Sequence, residues 1–218
     1  MAKDISEQLV RIRLDSVTLQ GVLAIPARSS GVVLFAHGSG SSRHSPRNNY
    51  VAAVLRQAGI GTLLFDLLTE EEDAVYETRF DIHLLTDRLT AATKWLATRP
   101  DAKKLKIGYF GASTGAAAAL EAAAVLGSAI RAVVSRGGRP DLAGPVLYRV
   151  KAPTLLIVGG HDDVVIKLNQ QAYDRLKAEK ELVIVPGATH LFEEPGALEE
   201  VARLAAQWFT RYLGQNPA

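Results

Sequence analysis

The 218-residue chain contains no cysteine. Disulfides, thiolate metal sites and a cysteine nucleophile are therefore excluded. No apolar run reaches membrane-spanning length, and residues 1–7 lack the apolar core of a secretory signal. A cytoplasmic location without a membrane partner is the expectation. No stretch is dense in Lys or Arg, and the net charge is only +2. Nothing marks a nucleic-acid partner. No spacing of His, Asp and Glu matches a metal site. Glu70, Glu71 and Glu72 crowd like charges together without further ligands. The sequence calls for no cofactor.

What is present is an ordinary globular composition, 48% hydrophobic and 22% charged. It predicts one domain over residues 1–218, with length enough for a large core. There is no internal repeat or low-complexity linker. Residues 9–14 alternate like a half-exposed strand, Asp15-Ser16 reads as a turn, and residues 17–25 return until Pro26 stops them. This predicts an antiparallel hairpin at a sheet edge. From Gly31 the pattern changes to continuous apolar runs at 32–36, 62–65, 105–110, 130–134, 154–158 and 182–185. Such runs suit strands buried on both faces. Helical patterns separate them at 48–58, 79–98, 113–126, 166–178 and 197–213. The predicted fold is α/β: a mostly parallel eight-stranded sheet with helices on both faces.

In such a sheet, functional residues collect in loops beyond the carboxyl ends of the strands. The run ending at Phe110 leads into Gly111-Ala112-Ser113-Thr114-Gly115 and then an alanine-rich helix. A sharp strand-to-helix turn exposes a serine, and its flanking glycines permit close packing. The same turn, read as a phosphate cradle, wants an acid about 20 residues on. That region reads Val134-Ser135-Arg136-Gly137 and has none. The loops after the next strands hold Gly159-Gly160-His161-Asp162-Asp163 and Gly187-Ala188-Thr189-His190. Ser, Asp and His thus follow the chain order of the α/β-hydrolase triad. Ser113 is the expected nucleophile, His190 the base and Asp162 the acid that orients it. Asp162 is preferred to Asp163 because it lies nearer the strand end. Asp163 then faces solvent or caps the next helix. The oxyanion donors expected are the N–H groups of Thr114 and of Ser39, within His37-Gly38-Ser39. His37 is expected to orient that loop.

With these motifs in place, the chain resembles the α/β-hydrolase superfamily, in its small dienelactone-hydrolase-like branch. The resemblance covers residues 9–213. It rests on His37-Gly38-Ser39-Gly40-Ser41-Ser42-Arg43, the helix after it, Phe65-Asp66-Leu67-Leu68-Thr69 with Glu70–Glu72, the Ser113 motif, Ser135-Arg136-Gly137-Gly138-Arg139-Pro140-Asp141, Gly159-Gly160-His161-Asp162 and Gly187-Ala188-Thr189-His190. Dienelactone hydrolases carry a cysteine nucleophile. Ser113 stands at that position here, so the resemblance implies a serine carboxylesterase. Related domains also occur beside phosphoribosyltransferases, and 218 residues leave no room for one.

The interval between Arg136 and Pro153 is too short for a cap domain, so the expected partner is a small ester. Arg43, His44 and Arg47 follow the oxyanion loop, and Arg136 and Arg139 follow the strand ending at Val134. If both groups face the mouth they can hold a carboxylate or phosphate, with Arg43, His44 and Arg136 the candidate substrate-binding residues. The alternative is that the arginines pair with Asp66, Glu70, Glu71, Glu72 or Asp81 and brace loops. Two readings of function stand: a serine hydrolase of small carboxylic esters, with lactone, thioester or acyl-transfer chemistry as variants, and a non-catalytic small-molecule binder. No residue pattern specifies an oligomeric state.

Overall fold

The computed structural model describes residues 7–14 and 16–214. Eight strands form one sheet: β1 (Glu7–Arg13), β2 (Thr18–Ala24), β3 (Gly31–Ala36), β4 (Gly61–Phe65), β5 (Lys106–Ala112), β6 (Ile130–Arg136), β7 (Thr154–Gly159) and β8 (Lys180–Val185). Their order is β1-β2-β4-β3-β5-β6-β7-β8. β2 is antiparallel to β1 and β4, and the remaining pairs are parallel. The edge hairpin is as expected; of the expected turn Asp15-Ser16, Asp15 lies outside the described residues.

The central strands are continuous apolar runs because both faces of the sheet are covered. β3, β4 and β7 are buried at every position. Helices α1 (Pro46–Gln57) and α6 (Ala197–Leu213) cover one face, where Val51, Leu55, Phe110, Val134, Val201 and Phe209 form a core. Helices α3 (Ile82–Thr98), α4 (Thr114–Leu126) and α5 (Asp163–Arg175) cover the other, around Leu34, Tyr109, Leu89 and Leu120. Helix α4 is buried almost throughout, and Ala116 to Ala119 keep it thin enough to lie between α3 and the sheet. Helix α6 buries the stripe Val201, Ala202, Ala205, Trp208 and Phe209.

Helix starts differ from expectation where polar caps precede the apolar pattern. Asp81 caps α3, its carboxylate accepting Leu84 N–H at 3.0 Å, and residues Glu77–Phe80 form a separate 3-10 turn. α5 begins at Asp163, three residues before the expected start at Ile166; Asp162 stands at its N-cap position but makes no side-chain cap bond. Pro46 opens α1 at a position where its missing N–H costs nothing. The acidic stretch is a short helix, α2 (Glu70–Ala74), closed by a capping box between Thr69 and Glu72. Between β6 and β7 lies only the 3-10 segment Pro140–Arg149, so there is no cap domain among the described residues. No helix among them is long and apolar enough to cross a membrane.

Candidate active site

Ser113 stands alone between β5 and α4 with φ 51° and ψ −122°. A side chain at positive φ costs energy, and the surrounding backbone enforces it. Ser113 N–H donates to Arg136 O at 3.3 Å, and Arg139 N–H donates to Ser113 O at 3.0 Å. A Cβ on Gly111 would overlap the backbone of Ala116, and one on Gly115 the carbonyl oxygens of Ala36 and His37. Only glycine permits strand and helix to close around the turn. The Ser113 side chain caps nothing in α4. The residue is half-buried just beyond the carboxyl end of β5.

The loops after β7 and β8 bring the other two residues together. His190 Nδ1 lies 2.6 Å from Asp162 Oδ2. Backbone bonds hold the two loops in register: Gly160 N–H to Val185 O at 2.8 Å and His161 N–H to Ala188 O at 2.9 Å. Glu194 accepts from both the N–H and the hydroxyl of Thr189, bracing the residue before His190. Those bonds hold the Glu194 carboxyl below its usual range. Phe192, two residues past His190, is buried with φ 56°, a second strained position at this site. Asp163 is exposed in the first turn of α5. The loop after β6 meets the histidine loop at Gly137, where a Cβ would lie 3.6 Å from His190 Cε1.

The loop after β3 abuts the nucleophile: a Cβ on Gly38 would sit 2.9 Å from Ser113 Cβ. Ser39 N–H points toward α4 and donates to Thr114 Oγ1 at 3.0 Å. The loop itself is latched by His37, which is only 6% exposed. Leu67 N–H donates to His37 Nε2 at 3.0 Å, so Nδ1 carries the proton and donates to Gly38 O at 3.1 Å. Burial lowers the pKa of His37, although Gly38 O, Asp66 and Asp73 partly oppose it. The imidazole is thus a neutral brace between the ends of β3 and β4.

The arginines divide into two groups. Arg43 pairs with Asp66, whose other oxygen accepts Arg43 N–H at 2.8 Å. Arg139 makes a two-pronged pair with Asp141 at 2.8 and 2.9 Å. Arg47 pairs with Glu193 at 2.8 Å. Arg136 has no carboxylate partner among the described residues, and its Nε has no hydrogen-bond acceptor. Arg43 and His44 instead line a cavity of about 480 Å³ with His37, Asp66, Glu70 and Glu71. None of Ser113, Asp162 or His190 borders it, so this hollow lies apart from those three residues. Phe192 emerges only in three dimensions, whereas Arg47 was already named in sequence as a basic residue beside the loop.

A model of the dienelactone hydrolase family matches residues 19–215. A crystal structure of a dienelactone hydrolase from Anabaena variabilis is 58% identical, with a TM-score of 0.94, and covers 96% of this chain and 99% of that one. Est1E from Butyrivibrio proteoclasticus shares the fold at 16% identity, with a TM-score of 0.82 over 95% of this chain and 99% of that one. A Mycobacterium tuberculosis protein named as a phosphoribosyl transferase is 58% identical over 213 residues, 97% of this chain and 48% of that protein. The chain spans about half the length of that relative. Fold, strand-end loops and family match converge on one assignment: the chain belongs to the dienelactone hydrolase family and has the α/β-hydrolase fold.

Proposed function

We propose that this chain is a cytoplasmic serine hydrolase that cleaves small carboxylic esters through an acyl-enzyme. The observation that carries this reading is the Asp162–His190 pair at 2.6 Å, on loops that converge with the strained Ser113 turn. His190 Nδ1–H donates to Asp162, which leaves Nε2 as the base. Ser113 Oγ attacks the ester carbonyl while Nε2 takes its proton. The tetrahedral oxyanion is held by Thr114 N–H at the start of α4 and by Ser39 N–H. The imidazolium then gives its proton to the departing alcohol. Water, activated by the same nitrogen, releases the acid and restores Ser113. With only the Pro140–Arg149 segment between β6 and β7, small acyl and alcohol groups are favoured. Among the described residues Ser113 Oγ has no hydrogen-bond partner, so the contact with Nε2 closes when substrate docks. Ser39 N–H is released at the same moment, as the Thr114 hydroxyl rotates away from it.

Lactone opening is the second reading, favoured by the 58% identity to a solved dienelactone hydrolase. It uses the same acyl-enzyme, with the alcohol remaining tethered. The mycobacterial relative is about twice as long, and the family match supports placing hydrolysis in the half it shares with this chain. The test is covalent labelling of Ser113 by a fluorophosphonate, with turnover of p-nitrophenyl acetate and a lactone panel. Ser113→Ala is expected to lose labelling and at least about 10³-fold in kcat. A folded wild type that neither labels nor turns over any short ester or lactone would sink the reading. Saturable ligand binding by that same inert protein would revive the non-catalytic binder.

A further inference from the structure

Helix α5 starts immediately after Asp162 and buries Val165, Asn169 and Ala172. Their spacing puts all three on one face of the helix. Two are apolar, as a packed stripe requires. Asn169 is polar, yet it is 0% exposed. Its Nδ2 donates to Val165 O at 2.8 Å and to Gly138 O at 3.0 Å. Both partners are carbonyls, so the amide nitrogen has to face them. Asn169 Oδ1 is buried with no partner. A half-satisfied amide is a costly choice for a core position that a leucine could fill.

The bond to Val165 O stays inside the helix, whereas the bond to Gly138 O leaves it. Gly138 O and Arg139 N–H belong to one planar peptide unit. Arg139 N–H donates to Ser113 O at 3.0 Å. One rigid group is thus held at both ends, by Asn169 at its oxygen and by Ser113 at its nitrogen. Gly138 is packed so closely against β6 and α4 that a Cβ would overlap Ser135 Oγ and Ala116 Cβ. The residue supported by this peptide is the strained one, Ser113 at φ 51°. Such a conformation persists only where the surroundings over-determine it. Two other bonds hold the same residue: Ala116 N–H donates to Ser113 O at 3.1 Å, and Ser113 N–H donates to Arg136 O. Those come from α4 and β6. The connection through Gly138 runs to α5, the helix that follows Asp162.

We propose that Asn169 is a positioning residue for hydrolysis, acting on Ser113 through the Gly138–Arg139 peptide. Its role in turnover rests on the hydrolase reading, whereas the clamp on the turn does not. Asn169 lies about two helical turns from Asp162, and its donor is engaged by backbone, so it acts through other groups. The clamp refers the nucleophile's turn to the same helix that carries the start of the acid loop. Ser113 and the Asp162–His190 pair are thereby kept in register. A misplacement of about 1 Å caused by a change away from the chemistry can cost on the order of 10²-fold in rate.

The experiment compares Asn169→Leu with Ala172→Gly, a change on the same buried stripe that leaves the clamp intact. The readouts are p-nitrophenyl acetate kinetics, the rate of fluorophosphonate labelling and the urea midpoint. Asn169→Leu is expected to lower kcat and the labelling rate about 10- to 100-fold, with KM within about twofold of wild type. Its midpoint should stay close to wild type, since the new side chain suits the apolar stripe. Ala172→Gly should do the reverse: a lower midpoint, with kcat of the folded protein within about twofold of wild type. If Asn169→Leu instead shows the Ala172→Gly pattern, Asn169 only packs and the proposal is overturned. Amide exchange followed by NMR reads the clamp without any substrate. Arg139 N–H should exchange at least about tenfold faster in Asn169→Leu, while amides within α5 keep their protection. Unchanged exchange at Arg139 also overturns the proposal. If Asn169→Leu does not fold, Asn169→Ala replaces it in each measurement, removing the same donor without added bulk. A wild type that neither labels nor cleaves ester fails the hydrolase reading alone, and Arg139 exchange then decides the clamp.

Discussion

The two flanks of Ser113 treat charge differently. On the β3/β4 flank charged groups are locally balanced: Arg43 with Asp66, Arg79 with Asp73, Arg88 with Glu72. His37 is buried there and neutral, with both ring nitrogens bonded to backbone. On the β6/β8 flank lie a histidine bonded to one carboxylate through one nitrogen, a guanidinium with no counter-ion and a strained phenylalanine. The first flank resembles a finished scaffold, in which each of these charged side chains already has an opposite charge beside it. The second holds unsatisfied capacity, which is what a site needs if it is to bind and react.

The sharpest way to break the comparison is to make the same change on each flank. Asp162→Asn keeps the shape of its side chain but no longer stabilises the imidazolium or enforces its tautomer. It is expected to cost about 10⁴-fold in kcat with little effect on the fold. Asp66→Asn removes the charge facing Arg43 and weakens the bond from Arg43 N–H. It is expected to cost about 1–3 kcal/mol of stability and less than tenfold in kcat. Urea midpoints and ester kinetics on both variants decide. Equal losses of activity would erase the distinction between scaffold flank and reactive flank.

This division was only partly legible in sequence. The sheet was legible because strands covered on both faces must be continuous apolar runs, and 32–36 or 154–158 admit little else. Ser113, Asp162 and His190 were nameable because each follows a strand, and topology gathers strand ends. The start of α3 was missed because a cap, not apolar periodicity, decides it: Asp81 accepts Leu84 N–H. Thr69-x-x-Glu72 was a readable capping box overlooked because the acids beside it read as a charge run. Asp66 was named among the acids open to the arginines, and Arg43 takes it, but the individual pairings were not legible. Arg43 finds Asp66 23 residues away and Arg47 finds Glu193 146 residues away, choices that depend on loop geometry. Arg136 is left over by the same geometry.

A subtler test uses pH on the scaffold flank. His37 has a folded pKa below its ordinary value of 6.5, with burial as the main cause. The unfolded chain therefore takes up a proton first as pH falls. The stabilisation from a neutral His37 is fully present above pH 6.5 and is lost as pH drops from there toward the lowered folded value. Protonation would also set Nε2–H against Leu67 N–H. The slope is at most about 1.4 kcal/mol per pH unit, the limit for one proton. The measurement is the urea midpoint of wild type and His37→Gln between pH 7.5 and 5. The gap between the two proteins should narrow as pH falls; a constant gap would mean that His37 titrates alike in both states.

The smallest effect lies on the one hydrogen bond that crosses between Ser39 and Thr114. Ser39 N–H is satisfied in the resting protein by Thr114 Oγ1, so one proposed oxyanion donor is occupied before substrate arrives. That bond must break for Ser39 to reach the oxyanion, and a neutral hydrogen bond of this kind contributes about 0.5–1.5 kcal/mol. Thr114→Val keeps the branched shape at a buried position and removes the acceptor. Because the ground state loses an interaction that the transition state does not use, kcat is expected to rise about 2- to 10-fold. Folding stability should fall by a comparable amount, since the resting N–H is left without its partner. A fall in kcat would instead make the Thr114 hydroxyl a donor to the oxyanion, with Ser39 N–H supporting it from behind. Either result fixes whether the scaffold flank ends at Ser39 or at Thr114.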